Sequence, residues 1–81
     1  MTDQQILDAL TRILRSLLGS ESLILTLETR RSDVHGWDSF NYVNFIVGVE
    51  IEFALRFRVA DIESFETVGD IVNEIKAIKA W

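Results

Sequence analysis

Gly36-Trp37-Asp38-Ser39-Phe40 marks the point where a loop becomes a long and strongly apolar helix. Asp38 is of the residue type that caps helix N-termini, because its carboxylate accepts a backbone N–H of the first turn. Ser39 then begins the helix, beside N–H groups without intrahelical partners and at the positive end of the helix dipole. That environment favours a phosphate on the serine oxygen, so Ser39 is a candidate attachment site. An ordinary helix-start serine is the alternative interpretation of the local sequence.

The helix predicted from Ser39 to about Phe57 is apolar at more positions than one face can hold. A broad stripe suited to the core of a bundle consists of Tyr42, Phe45, Ile46, Val49, Phe53 and Phe57. The opposite stripe consists of Phe40, Val47, Ile51 and Ala54. A chain of 81 residues can hardly bury a helix on all sides, so the second stripe is a candidate docking surface. A second core face packed against the preceding loop is the alternative.

Two further long helices have clear start signals. Residues 2–5 form a Thr-x-x-Gln capping box, followed by apolar residues at helical spacing as far as Gly19. A short helical turn is predicted around residues 61–65. Residues 67–70 then resemble a second capping box and begin a last helix that ends close to Trp81. These signals predict an all-α fold, a small four-helix bundle with three long helices and one short helix.

The connection between the first two helices, residues 19–37, is long for a compact domain. It contains Leu23, Leu25, Leu27 and Val34, which would be costly to expose together. We therefore expect an ordered loop that folds down onto the helices, with a strand from Leu23 to Leu27 as the weaker alternative. The whole chain, residues 1–81, is expected to form a single domain.

Composition excludes several classes of protein. A net charge of −5 with eight scattered Lys and Arg residues argues against nucleic-acid binding. The absence of cysteine removes disulfides and thiolate metal sites, and His35 is the sole histidine, so a metal or nucleophilic site would need carboxylates alone. The N-terminus lacks a secretory pattern and no apolar run approaches membrane-spanning length, so we expect a cytoplasmic monomer without membrane insertion.

The order of these parts resembles the acyl carrier protein family, whose attachment motif is usually Asp-Ser-Leu; here Phe40 replaces the leucine. The similarity covers nearly the whole chain, including residues 49–53 near the end of the second helix and residues 65–71 at the start of the last. It implies that Ser39 carries a 4′-phosphopantetheine arm from coenzyme A, with Asp38 completing the motif. The implied partners are a phosphopantetheinyl transferase and acyl-loading and acyl-processing enzymes, and the implied function is that of a carrier without catalytic residues of its own.

Departures from the family pattern refine this interpretation. Asn41, Asn44 and Ile51 stand where many members have acids along the second helix. We therefore expect docking through Phe40, Val47 and Ile51, with Glu50 as the remaining acidic contact.

Trp37, where many peptidyl carriers have glycine, favours a discrete acyl carrier of fatty acid, polyketide or another specialised metabolism. An aminoacyl or peptidyl carrier of a dissociated nonribosomal pathway remains an alternative. So does a helical interaction module without a prosthetic group.

Overall fold

The computed structural model describes residues 1–81 and contains four helices and no strand. In chain order the helices are α1 (Asp3–Leu18), α2 (Ser39–Phe53), α3 (Val59–Ser64) and α4 (Val68–Lys79). The predicted all-α fold, with three long helices and one short helix, is confirmed. The alternative strand from Leu23 to Leu27 is wrong, because that segment forms no ladder and is held by other contacts.

Side-chain caps set the starts of α1 and α4. At α1 the Thr2 hydroxyl accepts the Gln5 N–H, and the Gln5 side chain accepts the Thr2 N–H. At α4 Thr67 and Asp70 make the same reciprocal pair. Each box satisfies orphan donors of a first turn, which explains why both starts could be read from the sequence.

The end of α2 differs from the prediction. The helix stops at Phe53 and not near Phe57, because Ala54 adopts a left-handed conformation with φ of 52°. The chain then turns back on itself, and the carboxylate of Glu50 accepts the Phe57 N–H at 2.8 Å. Phe57 is nevertheless buried, in a T-shaped contact with Phe65 at 5.3 Å between ring centroids.

The long loop is fastened mainly through its backbone. The carbonyl of Leu27 accepts the Gly69 N–H at 2.8 Å, and the carbonyl of Thr29 accepts the Val68 N–H at 2.9 Å. Leu25 lies in the core, whereas the side chain of Leu27 is exposed, contrary to the expectation that it would fold inward. A single turn of 3₁₀ helix, Arg31–Asp33, had no recognised sequence signal.

One cluster of buried apolar side chains joins the helices. The contributions of the helices are Ile6, Leu7, Leu10 and Leu14 of α1, Phe45, Ile46, Val49 and Phe53 of α2, and Val68, Ile71, Val72 and Ile75 of α4. Gly48 allows α1 and α2 to approach closely, since a Cβ there would lie 3.1 Å from Ile13 Cγ2. None of the four helices combines the length and apolar character needed to cross a membrane.

The two helical glycines provide a test of how the loop is held. In Gly69→Ala the new Cβ would lie 2.8 Å from the Leu27 carbonyl oxygen, a backbone atom that cannot move without lifting the loop off α4. We expect a loss of about 1–3 kcal/mol in the free energy of unfolding, measured by urea denaturation.

Gly48→Ala is the matched control, because its new methyl meets only a side-chain atom, the Cγ2 methyl of Ile13 at 3.1 Å, and the substitution gains about 1 kcal/mol in helix propensity. It should cost clearly less than Gly69→Ala. Equal losses in the two variants would show that the contact between Leu27 and Gly69 contributes little.

Candidate functional site

Ser39 is the first residue of α2, and its side chain is exposed to solvent. Asp38 is the N-cap, and its Oδ1 accepts the Asn41 N–H at 2.9 Å. The N–H groups of Ser39 and Phe40 lie before the first intrahelical donor, so they have no carbonyl acceptor within α2. The serine oxygen therefore lies at the positive end of a 15-residue helix, beside two amides able to face an anion.

The turn that leads into α2 is braced from both sides. Asn41 donates its side-chain N–H to the Gly36 carbonyl at 2.9 Å, and the Trp37 N–H donates to the Val34 carbonyl at 3.2 Å. Gly36 adopts φ of +85°, a conformation that favours glycine. Asn41 thus helps to shape the turn before Ser39.

Trp37 anchors this turn in the core, and only 5% of its surface is exposed. Its ring meets Phe45 in a T-shaped contact at 5.1 Å between centroids and lies 6.2 Å from the ring of Tyr42. The indole Nε1–H is fully buried and has no hydrogen-bond partner, the only buried side-chain polar atom of which this is true. From the sequence, Trp37 was noted only as a departure from related carriers, so its buried position was missed.

A cleft of about 860 Å³ opens beside Ser39. This Ser39 cleft is lined by Arg30, Arg31, Ser32, Trp37, Asp38, Ser39, Tyr42, Val43, Ile62, Glu63, Phe65 and Glu66. Arg30 forms an exposed ion pair with Glu66 at 3.6 Å, whereas the guanidinium of Arg31 lies 4.9 Å above the Tyr42 ring. The long loop therefore supplies a cationic wall opposite the start of α2.

Tyr42 forms the boundary between the cleft and the core. Its hydroxyl donates to the Ile62 carbonyl at 2.7 Å and so ties α2 to α3. Burial raises the pKa of the Tyr42 phenol above its ordinary value, and the neighbouring Arg31 charge opposes part of that shift. The neutral phenol is therefore the form that this contact requires.

The structure places the predicted docking residues on one side of α2. Phe40, Val47 and Ile51 are 74%, 47% and 75% exposed, so the alternative of a second core face does not hold for them. Val43, which the sequence analysis did not single out, is exposed at the matching helical spacing and completes an apolar stripe formed by Phe40, Val43, Val47 and Ile51.

The acids near this stripe are already engaged. Glu50 is half-buried and binds the Phe57 N–H, and Glu52 pairs with Arg12 of α1 at 2.9 Å. The geometry therefore favours a structural role for the Glu50 carboxylate over the contact with partners expected from the sequence. No group of three His, Asp or Glu side chains is arranged to hold a metal ion, and His35 lies exposed in the loop.

No family model matches the chain. The acyl carrier protein of Thermotoga maritima is 33% identical to it over 73 residues, which are 90% of each of the two chains. The chain belongs to the acyl carrier protein family. The resemblance noted in the sequence is thereby confirmed.

Solved structures agree with this assignment. The solution structure of holo acyl carrier protein from Geobacter metallireducens matches with a TM-score of 0.84 at 33% identity, covering 93% of this chain and 86% of that one. Acyl carrier proteins bear a covalent 4′-phosphopantetheine group and are carriers, not enzymes. The residues of this acyl carrier protein suit the group, because Ser39 offers an exposed hydroxyl at a helix N-terminus with an open cleft beside it.

The phenol of Tyr42 provides a test of how the cleft wall is built. Tyr42 is the only tyrosine, so phenolate absorbance reports on it alone. We expect its titration midpoint to lie higher in the folded protein than in the urea-unfolded chain, where it should be about 10. Because the pKa of Tyr42 is raised in the folded protein, the neutral phenol contributes to stability. That contribution is complete below the pKa of the unfolded chain and is lost as the pH rises through the pKa of the folded protein.

Arg31→Gln should raise the folded midpoint further, because the substitution removes the positive charge that opposes the shift. Identical midpoints for the folded and unfolded chains would contradict the buried, hydrogen-bonded environment described for Tyr42.

Proposed function

We propose that this protein is a cytoplasmic acyl carrier that bears 4′-phosphopantetheine on Ser39. The observation that carries the proposal is the position of the Ser39 hydroxyl, exposed at the first residue of a capped helix and open to a cleft. When bound, the group supplies a flexible arm whose terminal thiol holds the acyl cargo as a thioester. The protein supplies position, a positive electrostatic environment and recognition.

Loading of the arm needs little chemistry from this chain. The Ser39 oxygen forms a bond to phosphorus as the phosphoanhydride bond of coenzyme A breaks and adenosine 3′,5′-bisphosphate leaves. The serine proton must pass to a base, and the Oδ1 atom of Asp38, the nearest acid in the sequence, already accepts the Asn41 N–H. The base therefore belongs to the phosphopantetheinyl transferase, in keeping with a carrier that is not itself an enzyme.

The apolar stripe is the surface we assign to partner docking. Phe40, Val43, Val47 and Ile51 run along α2 from the residue after Ser39, so an enzyme that binds the stripe would receive the arm at one end. Their exposure would be costly unless a partner covers them during transfer. Because Glu50 and Glu52 already have partners within the protein, shape and apolar burial would dominate recognition.

This docking chemistry favours a specialised pathway over general fatty acid synthesis. Enzymes with strongly basic carrier sites would find few free acids on α2, whereas enzymes with apolar sites would fit the stripe. We therefore propose acyl-loading and acyl-processing partners of a polyketide or another dedicated route.

Attachment is tested by intact mass after incubation with coenzyme A and a broad-specificity phosphopantetheinyl transferase. We expect a gain of one phosphopantetheine in the wild type and none in Ser39→Ala. Ser32→Ala is the matched control, because Ser32 is an exposed serine that lines the same cleft and should not affect loading. An unmodified wild type, under conditions that modify a known carrier, would favour an interaction module without a prosthetic group.

Docking is tested with Val47→Glu. Since Val47 is about half exposed, we expect the helical content to stay the same and the free energy of unfolding to change by no more than about 0.5 kcal/mol. Burying the new charge in an apolar contact should lower kcat/KM with an enzyme of its own pathway by about tenfold.

Ile78→Glu is the control for this test, because Ile78 is exposed to a similar extent, 41% against 47%, but lies on α4. Equal losses of kcat/KM in the two variants would show that added charge, and not the stripe, determines the effect. A large loss of stability in Val47→Glu would place Val47 in the core.

A further inference from the structure

The indole N–H of Trp37 is a strong donor without an acceptor. Only 5% of the surface of Trp37 is exposed, and its Nε1 is inaccessible to solvent and without a partner. Buried donors are almost always satisfied, so the unpartnered indole N–H calls for an acceptor from outside the chain, either a water molecule or a group of a ligand. Trp37 lies two residues before Ser39 and lines the cleft next to it.

Trp37 also lines a second, much smaller space. This second space has a volume of about 20 Å³, room for about one water molecule. Five residues line both spaces and separate them: Arg31, Trp37, Tyr42, Phe65 and Glu66. A shift of these shared side chains would join the two spaces beside the indole.

The chemistry of this wall selects the kind of group that could enter. Trp37 Nε1 can only donate, and so can the guanidinium of Arg31, which is not within salt-bridge distance of any carboxylate. Three aromatic rings, those of Trp37, Tyr42 and Phe65, favour a flat and uncharged group. The charges of Arg30 and Arg31 are offset by the acids Asp38, Glu63 and Glu66 in the same lining, so the cleft as a whole does not select an anion. A carbonyl oxygen meets all of these conditions.

We propose that Trp37 Nε1 is the hydrogen-bond donor for a carbonyl group that reaches it from the cleft beside Ser39, carried there by the prosthetic arm or its acyl cargo. This inference rests on the proposed function, because attachment at Ser39 brings the carbonyl groups close. The same chemistry has two sources: the amides of the arm, and the thioester or an oxo group of the cargo. Arg31 is the second donor at the mouth of the cleft.

Trp37 and Trp81 are the only two tryptophans, which permits a direct measurement. In ¹H–¹⁵N correlation spectra each indole N–H gives one signal, and Trp37→Phe and Trp81→Phe assign them. Trp81 packs on Phe53 at 6.2 Å and lines neither cavity, so it is an internal control. We expect formation of the hydrogen bond to move the Trp37 proton downfield and slow its exchange, with the Trp81 signal unchanged.

Four forms of the protein distinguish the sources: apo, holo, hexanoyl and 3-oxohexanoyl. A shift already present in the holo form assigns an arm amide, one that first appears with hexanoyl assigns the thioester, and one confined to 3-oxohexanoyl assigns the cargo. A Trp37 signal that stays the same in all four forms would overturn the proposal, and would fit a water molecule as the constant partner of the indole.

The mass of each sample separates this inference from the proposed function. A chain that takes up no phosphopantetheine overturns both, whereas a loaded chain with an unmoved Trp37 signal overturns only the inference.

A second measurement uses release of the acyl group by hydroxylamine. Trp37→Phe keeps an aromatic ring but removes the donor. Both proteins are loaded with the acyl group that moves the Trp37 signal in the wild type, and hydroxylamine should then release it about threefold to tenfold faster from Trp37→Phe. If the spectra assign an arm amide as the acceptor, the hexanoyl form is used in this assay. Trp81→Phe should react at the wild-type rate, and equal rates in all three proteins would overturn the role of the indole in holding the cargo. Circular dichroism confirms that both variants remain folded.

Discussion

Trp37 packs edge-on against Phe45 in the core, and the next residue, Asp38, caps the helix that contains Phe45. The two contacts impose different requirements on neighbouring residues. The indole must point inward, and the cap requires an extended backbone at Asp38, where φ is −85° and ψ is −176°. With both satisfied, Ser39 becomes the first helical residue and its side chain stays outside. The exposure of the hydroxyl thus follows from packing two residues earlier in the chain.

The long loop completes this arrangement from the other side. Its attachment to the start of α4, through the carbonyls of Leu27 and Thr29, sets the path of the chain into the 3₁₀ turn. That path brings Arg31 over the ring of Tyr42, whose hydroxyl in turn holds α3. The cleft beside Ser39 therefore depends on three separate segments, each fixed by a specific hydrogen bond or ring contact.

Helices were predictable where local chemistry determines them, and less so where long-range contacts do. The caps at Thr2 and Thr67 act within a few residues, so the sequence shows them directly. The predicted end of α2 was wrong because Ala54 takes a left-handed conformation usually associated with glycine. No residue near Ala54 in the sequence indicates that conformation. Pairing of the Glu50 carboxylate with the Phe57 N–H occurs only once the chain has turned there.

The candidate site shows the same division. Ser39 and Asp38 were identified as candidate site residues because a cap and a helix start are local features. The unpartnered indole of Trp37 could not be found in the sequence, because burial and the lack of an acceptor are properties of the folded chain. Leu27 was predicted to pack inward through its apolar side chain. The side chain is exposed, and Leu27 instead holds the loop by accepting the Gly69 N–H at its carbonyl.

The two faces of α2 imply how this carrier meets its enzymes. A row of free carboxylates attracts basic partners over about a Debye length, roughly 10 Å at 0.1 M salt, and that attraction weakens as salt is added. Here the charge of Glu52 is offset by Arg12, and the carboxylate of Glu50 is half-buried and held by the Phe57 N–H, so neither acid is free to reach toward a basic partner. Apolar contact acts only at short range and is not weakened by salt in this way. Recognition would therefore depend on the fit of Phe40 and Ile51 into a matching surface, which rejects partners by shape.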